Sequence, residues 1–176
     1  TFGGSNGVVN GNVNNKGTVQ FNDTLTINGD LSNAGSIVSG NIEGTNGATT
    51  GNTLIVNGDY TSNQGSVTLN TQLGDDTSPT DMLNITGNTS GNTTLYINNV
   101  GGQGALTQNG IEVIQVGGAS NGTFVQGNQV QINAYEYRLY QDSGDWYLRS
   151  QATSDNGDVT PQYRADIGSY LSNQWL

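Results

Sequence analysis

Short alternating bursts of apolar residues, separated by Asn-Gly and Gly-Asp corners, run through the first hundred positions of the chain. One phrase recurs: Leu25-Thr-Ile-Asn-Gly-Asp30, then Leu54-Ile-Val-Asn-Gly-Asp59, with a fainter copy from Leu83 to Ile97 and an earlier one from Val8 to Phe21. Aligned on the glycine after the first strand, the copies fall at Gly11, Gly29, Gly58 and Gly87, which are 18, 29 and 29 residues apart. Units of this length, each too small to bury an apolar face alone, are expected to stack as coils of a right-handed parallel β-helix, with insertions absorbed in loops. The pattern predicts an inward column of Val8, Leu25, Ile27, Leu54, Val56, Leu83 and Ile85. Gly and Asn at the corners supply positive φ, and stacked Asn or Thr form ladders between coils.

From Leu95 onward the repeat phrase fades. Ile111–Val116, Thr123–Val125 and Val130–Ile132 arrive as separate strands between Gly-rich turns, which suggests a meander or small sandwich. The densest signal follows. Tyr135, Tyr137 and Leu139 share one face of a strand, Trp146 and Leu148 share one face of the next, and Asp142-Ser143-Gly144-Asp145 turns between them. An isolated hairpin is marginal, and its cross-strand pairs contribute only ~0.2–1 kcal/mol each, so this one needs another layer to cover it. After Ser150 the composition reads as a linker, and Thr160-Pro161 followed by Tyr163, Ile167, Tyr170 and Leu171 predicts the start of an amphipathic helix that Gly168 weakens. The expected organisation is β-helix coils over 1–90, an antiparallel β cap with the aromatic hairpin over 91–150, and a linker and helix start over 151–176.

Composition narrows the function classes. Only 32% of residues are hydrophobic, but they are clustered into strands, which favours an ordered solenoid over a disordered chain. Four Lys and Arg face fourteen Asp and Glu, a net charge of -10 that offers no footprint for nucleic acid and no polybasic membrane anchor. No run approaches the ~18 apolar residues of a spanning helix. Cys and His are absent, so disulfides, thiolate metal sites, Cys nucleophiles and the commonest general base are excluded.

Three constellations bear on chemistry. Asp75, Asp76 and Asp81, and separately Asp155, Asn156 and Asp158, are candidate calcium ligands, but the chain has neither an EF-hand pattern nor nine-residue calcium repeats. Solvated acidic loops are the expectation, with no metal and no cofactor. Asp30 and Asp59, at matched repeat positions, have the form of a glycosidase carboxylate pair. Both follow repeated strands, where Asp is a common corner residue, and no enzymatic activity is expected.

The NGD-type repeats, the run Asn109–Val116, the hairpin Tyr135–Tyr140 with Trp146–Arg149, and the tail Tyr163–Tyr170 together resemble the C-terminal passenger region of pertactin-like type V autotransporters of Gram-negative bacteria. The likeness reaches both the diffuse-adherence or self-associating adhesins and the actin-recruiting Shigella surface protein. It implies an autochaperone segment at the base of a passenger stalk, which nucleates β-helix folding during outer-membrane translocation of a surface virulence factor or adhesin. Tyr135, Tyr137, Leu139, Trp146 and Leu148 are then the candidate folding nucleus, and the bland alternative for the same residues is ordinary cap packing. The implied location is the bacterial cell surface, attached to the outer membrane or released, after transit through the periplasm. The implied partners are the upstream passenger and a C-terminal β-barrel lying outside these residues. A host-cell surface, a cytoskeletal regulator or a second copy of the chain are further candidates, and a module that itself binds host protein, glycan or another copy is the alternative function.

Overall fold

A computed structural model describes residues 2–40 and 48–153, with side chains from residue 6 onward. Every regular element among them is a β-strand, and the fold is a parallel β-helix closed by antiparallel strands. The coils contain β1 (Phe2–Asn10), β2 (Val13–Asn15), β3 (Thr18–Asn28), β4 (Leu31–Asn33), β5 (Ser36–Ser39), β6 (Thr53–Val56), β7 (Tyr60–Thr71), β8 (Met82–Ile85), β9 (Thr89–Asn99), β10 (Ile111–Val116) and β11 (Thr123–Gln126). Three parallel ladders make three walls. The first stacks the ends of β1 and β3 with β6, β8 and β10. The second stacks β2, β4 and the starts of β7 and β9. The third stacks the start of β3 with β5, the remainder of β7 and β9, and β11.

Parallel in-register pairing puts like residues over like, so each apolar phrase of the sequence becomes one rung of a column. On the first wall Leu25, Leu54, Leu83 and Ile114 are in register, as are Ile27, Val56, Ile85 and Val116, and all are buried. The third wall contributes Val19, Ile37, Val67 and Leu95. Burying each such side chain is worth about 1.5–3 kcal/mol, realised only when a neighbouring rung covers it.

Val8 departs from the expected column and is 62% exposed. A register shift between Ser5 and Gly7 aligns Gly7 with Leu25 and Val9 with Ile27, which leaves Val8 beside outward-facing Thr26. With a side-chain period of two, one residue of slip exchanges the inner and outer faces. The recurring glycines also serve differently from expectation. Of Gly11, Gly29, Gly58 and Gly87 only Gly11 has positive φ, at 130°. At Gly29, Gly58 and Gly87 a Cβ would collide with the carbonyl of the matching glycine one rung earlier, and Gly118 extends the same column over Gly87. Glycine is needed there because the corners of successive coils pass too closely for a side chain.

Parallel stacking runs on past the expected boundary at residue 90. β10 aligns with β8, and β11 with β9, so Ile111–Gln126 forms another coil. Backbone pairing and inward apolar residues are enough to continue the wall even where Gly117-Gly118 replaces the Asn-Gly-Asp phrase. The antiparallel cap is β12 (Val130–Ile132), β13 (Tyr135–Asp142) and β14 (Asp145–Ala152). β14 pairs antiparallel with β10, so the first wall changes from parallel to antiparallel at that seam. Gln151 and Ala152, read from composition as linker, pair with Glu136 and Tyr135 in the hairpin. The expected helix start and the Asp155, Asn156 and Asp158 group lie outside the described residues.

Gly58→Ala is expected to lower stability by about 1–3 kcal/mol, the usual cost of forcing an extra methyl into a closed contact. Val8→Thr should stay within about 0.5 kcal/mol of the parent, as exposed substitutions do. Urea denaturation of both variants checks the assignment; equal effects would contradict the register.

Candidate functional site at the capped end

The hairpin owes its shape to the two-residue turn Ser143-Gly144, whose φ values of 52° and 91° match the right-handed twist of the strands it joins. That turn sets the register Leu139–Leu148, Tyr137–Ser150 and Tyr135–Ala152 and puts the five predicted aromatic and aliphatic residues on the face turned toward the coils. Tyr137, Trp146 and Leu148 are buried, whereas Tyr135 and Leu139 are half-buried and pack against the core from its margin.

Trp146 carries the contact into the solenoid. Its ring meets Phe124 of β11 edge to face, with centroids 5.5 Å apart and planes at 66°. Phe124 in turn stacks on Tyr60 of β7 at 5.9 Å and 16°. The Trp146 Nε1–H finds no acceptor among the described residues, so the indole contributes here through its ring. From Tyr60 the path continues in polar groups. Its hydroxyl shares a 2.9 Å hydrogen bond with Thr93 and accepts one of 3.2 Å from Asn33 Nδ2, while Asn15 Nδ2 donates to Asn33 Oδ1 at 3.0 Å. Burial raises the Tyr60 pKa, which keeps the hydroxyl neutral and available to this chain. Side chains thus connect the hairpin with the first coil.

Tyr137 reaches a different region. Its hydroxyl donates to the Gly74 carbonyl at 2.7 Å and accepts from the Ala105 N–H at 3.1 Å. Ser150, beside it, donates to the Ala105 carbonyl at 2.7 Å and accepts from the Thr107 N–H at 2.8 Å. Arg149 Nε donates to the Asn109 carbonyl at 2.7 Å. The hairpin therefore anchors the long excursion between β9 and β10 that precedes the last coil.

Side-chain amides close the remaining gaps between coils and cap. Gln126, at the end of β11, donates from Nε2 to the Tyr137 carbonyl at 3.1 Å and accepts from the Leu139 N–H at 3.2 Å, taking the place of a paired strand. Asn128 does the same for β9, exchanging hydrogen bonds of 3.1 and 3.0 Å with the N–H and carbonyl of Ile97. An unpaired strand edge is a template for unwanted pairing, and these amides occupy it. Phe124, Gln126, Asn128 and Ser150 were missed as site residues because their neighbours look like ordinary strand and turn sequence. The Phe in Thr123–Val125 was the available signal for the aromatic stack.

The candidate ligand carboxylates prove to have separate structural partners. Asp75 accepts from the Thr77 N–H and hydroxyl, and Asp76 accepts the N–H groups of Gln108, Asn109 and Gly110 at 2.8–3.0 Å. The Asn109 N–H leads a set of backbone donors that holds the Asp76 carboxyl below its usual range. Asp81 is fully buried and accepts from the Asn52 and Asn70 N–H groups and from Ser39, tying successive coils together. Asp30 and Asp59 belong to a corner ladder in which each side chain accepts from the backbone one coil later. It runs Asn12 to Asp30, Asp30 to Asp59, Asp59 to Asn88 and Asn88 to Ala119 at 2.8–2.9 Å.

This combination of coils and hairpin cap is matched by the family model described as Autochaperone Domain Type 1, over residues 12–139. The chain belongs to that family. The match begins at the first corner and ends within β13, so the family unit includes coils as well as the start of the cap. Among curated relatives, the chain is 43% identical over 121 residues to the protein YdeU of Escherichia coli K12, covering 57% of this chain and 26% of that one. It is 41% identical over 120 residues to the adhesin BmaC autotransporter of Brucella suis biovar 1, covering 57% and 4%. It is also 41% identical over 108 residues to the autotransporter adhesin AIDA-I of Escherichia coli, covering 57% and 8%. The chain therefore spans about a quarter or less of the length of these relatives. An autochaperone region of an autotransporter passenger, surface-exposed and associated with the outer membrane, agrees with the resemblance read from the sequence.

A double-mutant cycle on Phe124→Leu and Trp146→Leu is expected to give a coupling of about 0.5–1.5 kcal/mol, the usual excess of an aromatic pair over its area. Additive losses in urea denaturation would mean that the two rings act independently.

Proposed function

We propose that this autochaperone domain nucleates β-helix folding of its passenger during outer-membrane translocation. The observation supporting this most directly is the contact path from Trp146 through Phe124, Tyr60 and Asn33 to Asn15, which ties a hairpin made of local contacts to successive parallel rungs. Local contacts form without a large loop-closure cost, whereas the first parallel coil must close tens of residues before any rung rewards it. A preformed cap removes that cost from the start of the stack, and each later coil adds to an existing edge. Tyr135, Tyr137, Leu139, Trp146 and Leu148 act as the nucleus in this reading, with the upstream passenger as the folding client and the β-barrel as the anchor. Asp30, Asp59 and Asp76 accept backbone N–H groups and Asp81 is buried between coils, which favours a structural domain over an enzyme.

A second reading has its own observation. Asn28 Nδ2 donates to Asn10 Oδ1, and Asn57 Nδ2 to Asn28 Oδ1, both at 2.9 Å, forming a ladder on the exposed surface. Such an array of amides suits adhesion to a host protein or glycan, or association with another copy, and BmaC and AIDA-I are named adhesins. Loss of adhesion by Asn28→Ala with Asn57→Ala, at unchanged surface level, would favour it.

The nucleating role is tested with a passenger that lacks residues 1–160 but retains its barrel, with the segment supplied in trans. Surface protease resistance should return with the parent segment and fall several-fold with Trp146→Ala. Full resistance of the truncated passenger without any added segment would remove the role.

A further inference from the structure

Six Asn-Gly pairs lie among the described residues, beginning at Asn6, Asn10, Asn28, Asn57, Asn109 and Asn121. Glycine leaves its backbone nitrogen open to the side-chain carbon of the preceding asparagine, which makes this dipeptide chemically reactive. Most of the pairs are occupied by neutral partners. The side-chain amides of Asn10, Asn28 and Asn57 bond one another in the exposed ladder, Asn6 Oδ1 accepts the Thr24 N–H, and the Gly122 N–H donates to the Thr89 hydroxyl. Asn109-Gly110 is different. The Gly110 N–H donates to Asp76 Oδ1 at 3.0 Å, and the carbonyl oxygen of the same peptide unit, that of Asn109, accepts from Arg149 Nε at 2.7 Å. The Asn109 side chain is exposed and makes no hydrogen bond among the described residues. Gly110 is buried, with a φ of 112°, and a Cβ there would press on the Arg149 side chain at 2.9 Å and on the Leu148 carbonyl at 3.0 Å, so the fold requires glycine at this position.

We propose that Asn109-Gly110 is a self-modifying site, at which Asp76 and Arg149 activate the peptide unit between the two residues for attack on the Asn109 side chain, converting it to aspartate or isoaspartate with release of ammonia. Loss of the Gly110 N–H proton is the difficult step, because a backbone amide is a very weak acid. Asp76 receives that proton, and the charge left behind spreads onto the Asn109 carbonyl oxygen, where the Arg149 guanidinium meets it. A base at the nitrogen and a cation at the oxygen thus act on one peptide unit. The Gly110 nitrogen then bonds to Asn109 Cγ, the Cγ–Nδ2 bond breaks, and the departing nitrogen takes back the proton and leaves as ammonia. Water opens the resulting five-membered succinimide at either carbonyl. One side-chain amide and one water become a carboxyl group and ammonia, and Asp76 and Arg149 end unchanged.

The surroundings hold both groups in place. Asp76 also accepts the Asn109 N–H on Oδ2 and the Gln108 N–H on Oδ1, each at 2.8 Å, and these donors keep its carboxyl ionised at neutral pH. Arg149 is fixed by Asp142, which accepts from Nη2 at 2.6 Å, and by the rings of Tyr147 and Tyr140 at 5.3 and 5.9 Å. Conversion changes the excursion between β9 and β10 that these contacts anchor. It adds a carboxylate beside Asp76, and isoaspartate also lengthens the backbone by one atom, so the excursion is held less firmly against the hairpin. The reaction occurs once per chain and turns nothing over, and it is independent of nucleation.

Peptide mapping by mass spectrometry, on the whole chain incubated at neutral pH, reads the conversion of each Asn-Gly pair as exchange of a side-chain NH2 for OH. Asn109 should convert at least about tenfold faster in the folded chain than in the same chain unfolded in urea, a decade short of the usual lower bound for a positioned base. The ladder residues Asn28 and Asn57 should convert more slowly folded than unfolded. Asp76→Asn and Arg149→Gln should each slow Asn109 several-fold. A merely structural role predicts the opposite sign, because removing contacts that hold the excursion would free Asn109 and speed its conversion. Slower conversion of Asn109 in the folded parent, or acceleration by either variant, would overturn the proposal. So would scission into fragments 1–109 and 110–176, which would mean that Asn109 Nδ2 attacks the backbone carbonyl instead. If the variants do not fold, the comparison of folded with unfolded parent decides it.

Discussion

In-register parallel hydrogen bonding between successive coils is the constraint on which the rest of this structure depends. Strands in such a ladder lie ~4.8 Å apart, so whatever occupies one coil sits almost directly on its counterpart in the next. Apolar residues gain from this, because columns such as Leu25, Leu54 and Leu83 bury one another. Corners pass so closely that only glycine fits at Gly29, Gly58 and Gly87. Asn and Asp gain as well, since a side-chain oxygen above a corner reaches the backbone N–H of the next coil, as in the run from Asn12 to Ala119. Repetition in the chain is the chemical consequence of repetition in space.

The same constraint makes the end of the stack the critical place. A rung is satisfied only by its neighbours, so the last coil would present unpaired N–H and C=O groups and half-covered apolar residues. Two devices meet that need here. Antiparallel strands extend the first wall beyond β10, and the amides of Gln126 and Asn128 stand in for missing strands on the third. The bulge at Val113 reconciles the two kinds of pairing within a single strand. Cap and coils are thereby one continuous sheet, consistent with a family unit that spans both.

Legible in the chain alone are the class of fold, the spacing of the coils, the inward Leu, Ile and Val of three repeats, and the hairpin with its turn. Each leaves a local mark in the chain: an apolar period of two, a glycine that recurs at every corner, and the two-residue turn at Ser143-Gly144. Tertiary structure alone decided what depends on neighbours distant in the chain. Val8 faces outward because a shift near Gly7 changed its register, and local alternation has no record of that shift. The coil at Ile111–Gln126 is recognised by its pairing with β8 and β9, since its own phrase had diverged. Phe124 belongs with Trp146 and Tyr60 because stacking brings together residues that are remote in the chain. A repeat announces itself in sequence through what every coil shares. The places where coils differ, and where the stack ends, are set by contacts across coils and appear only in three dimensions.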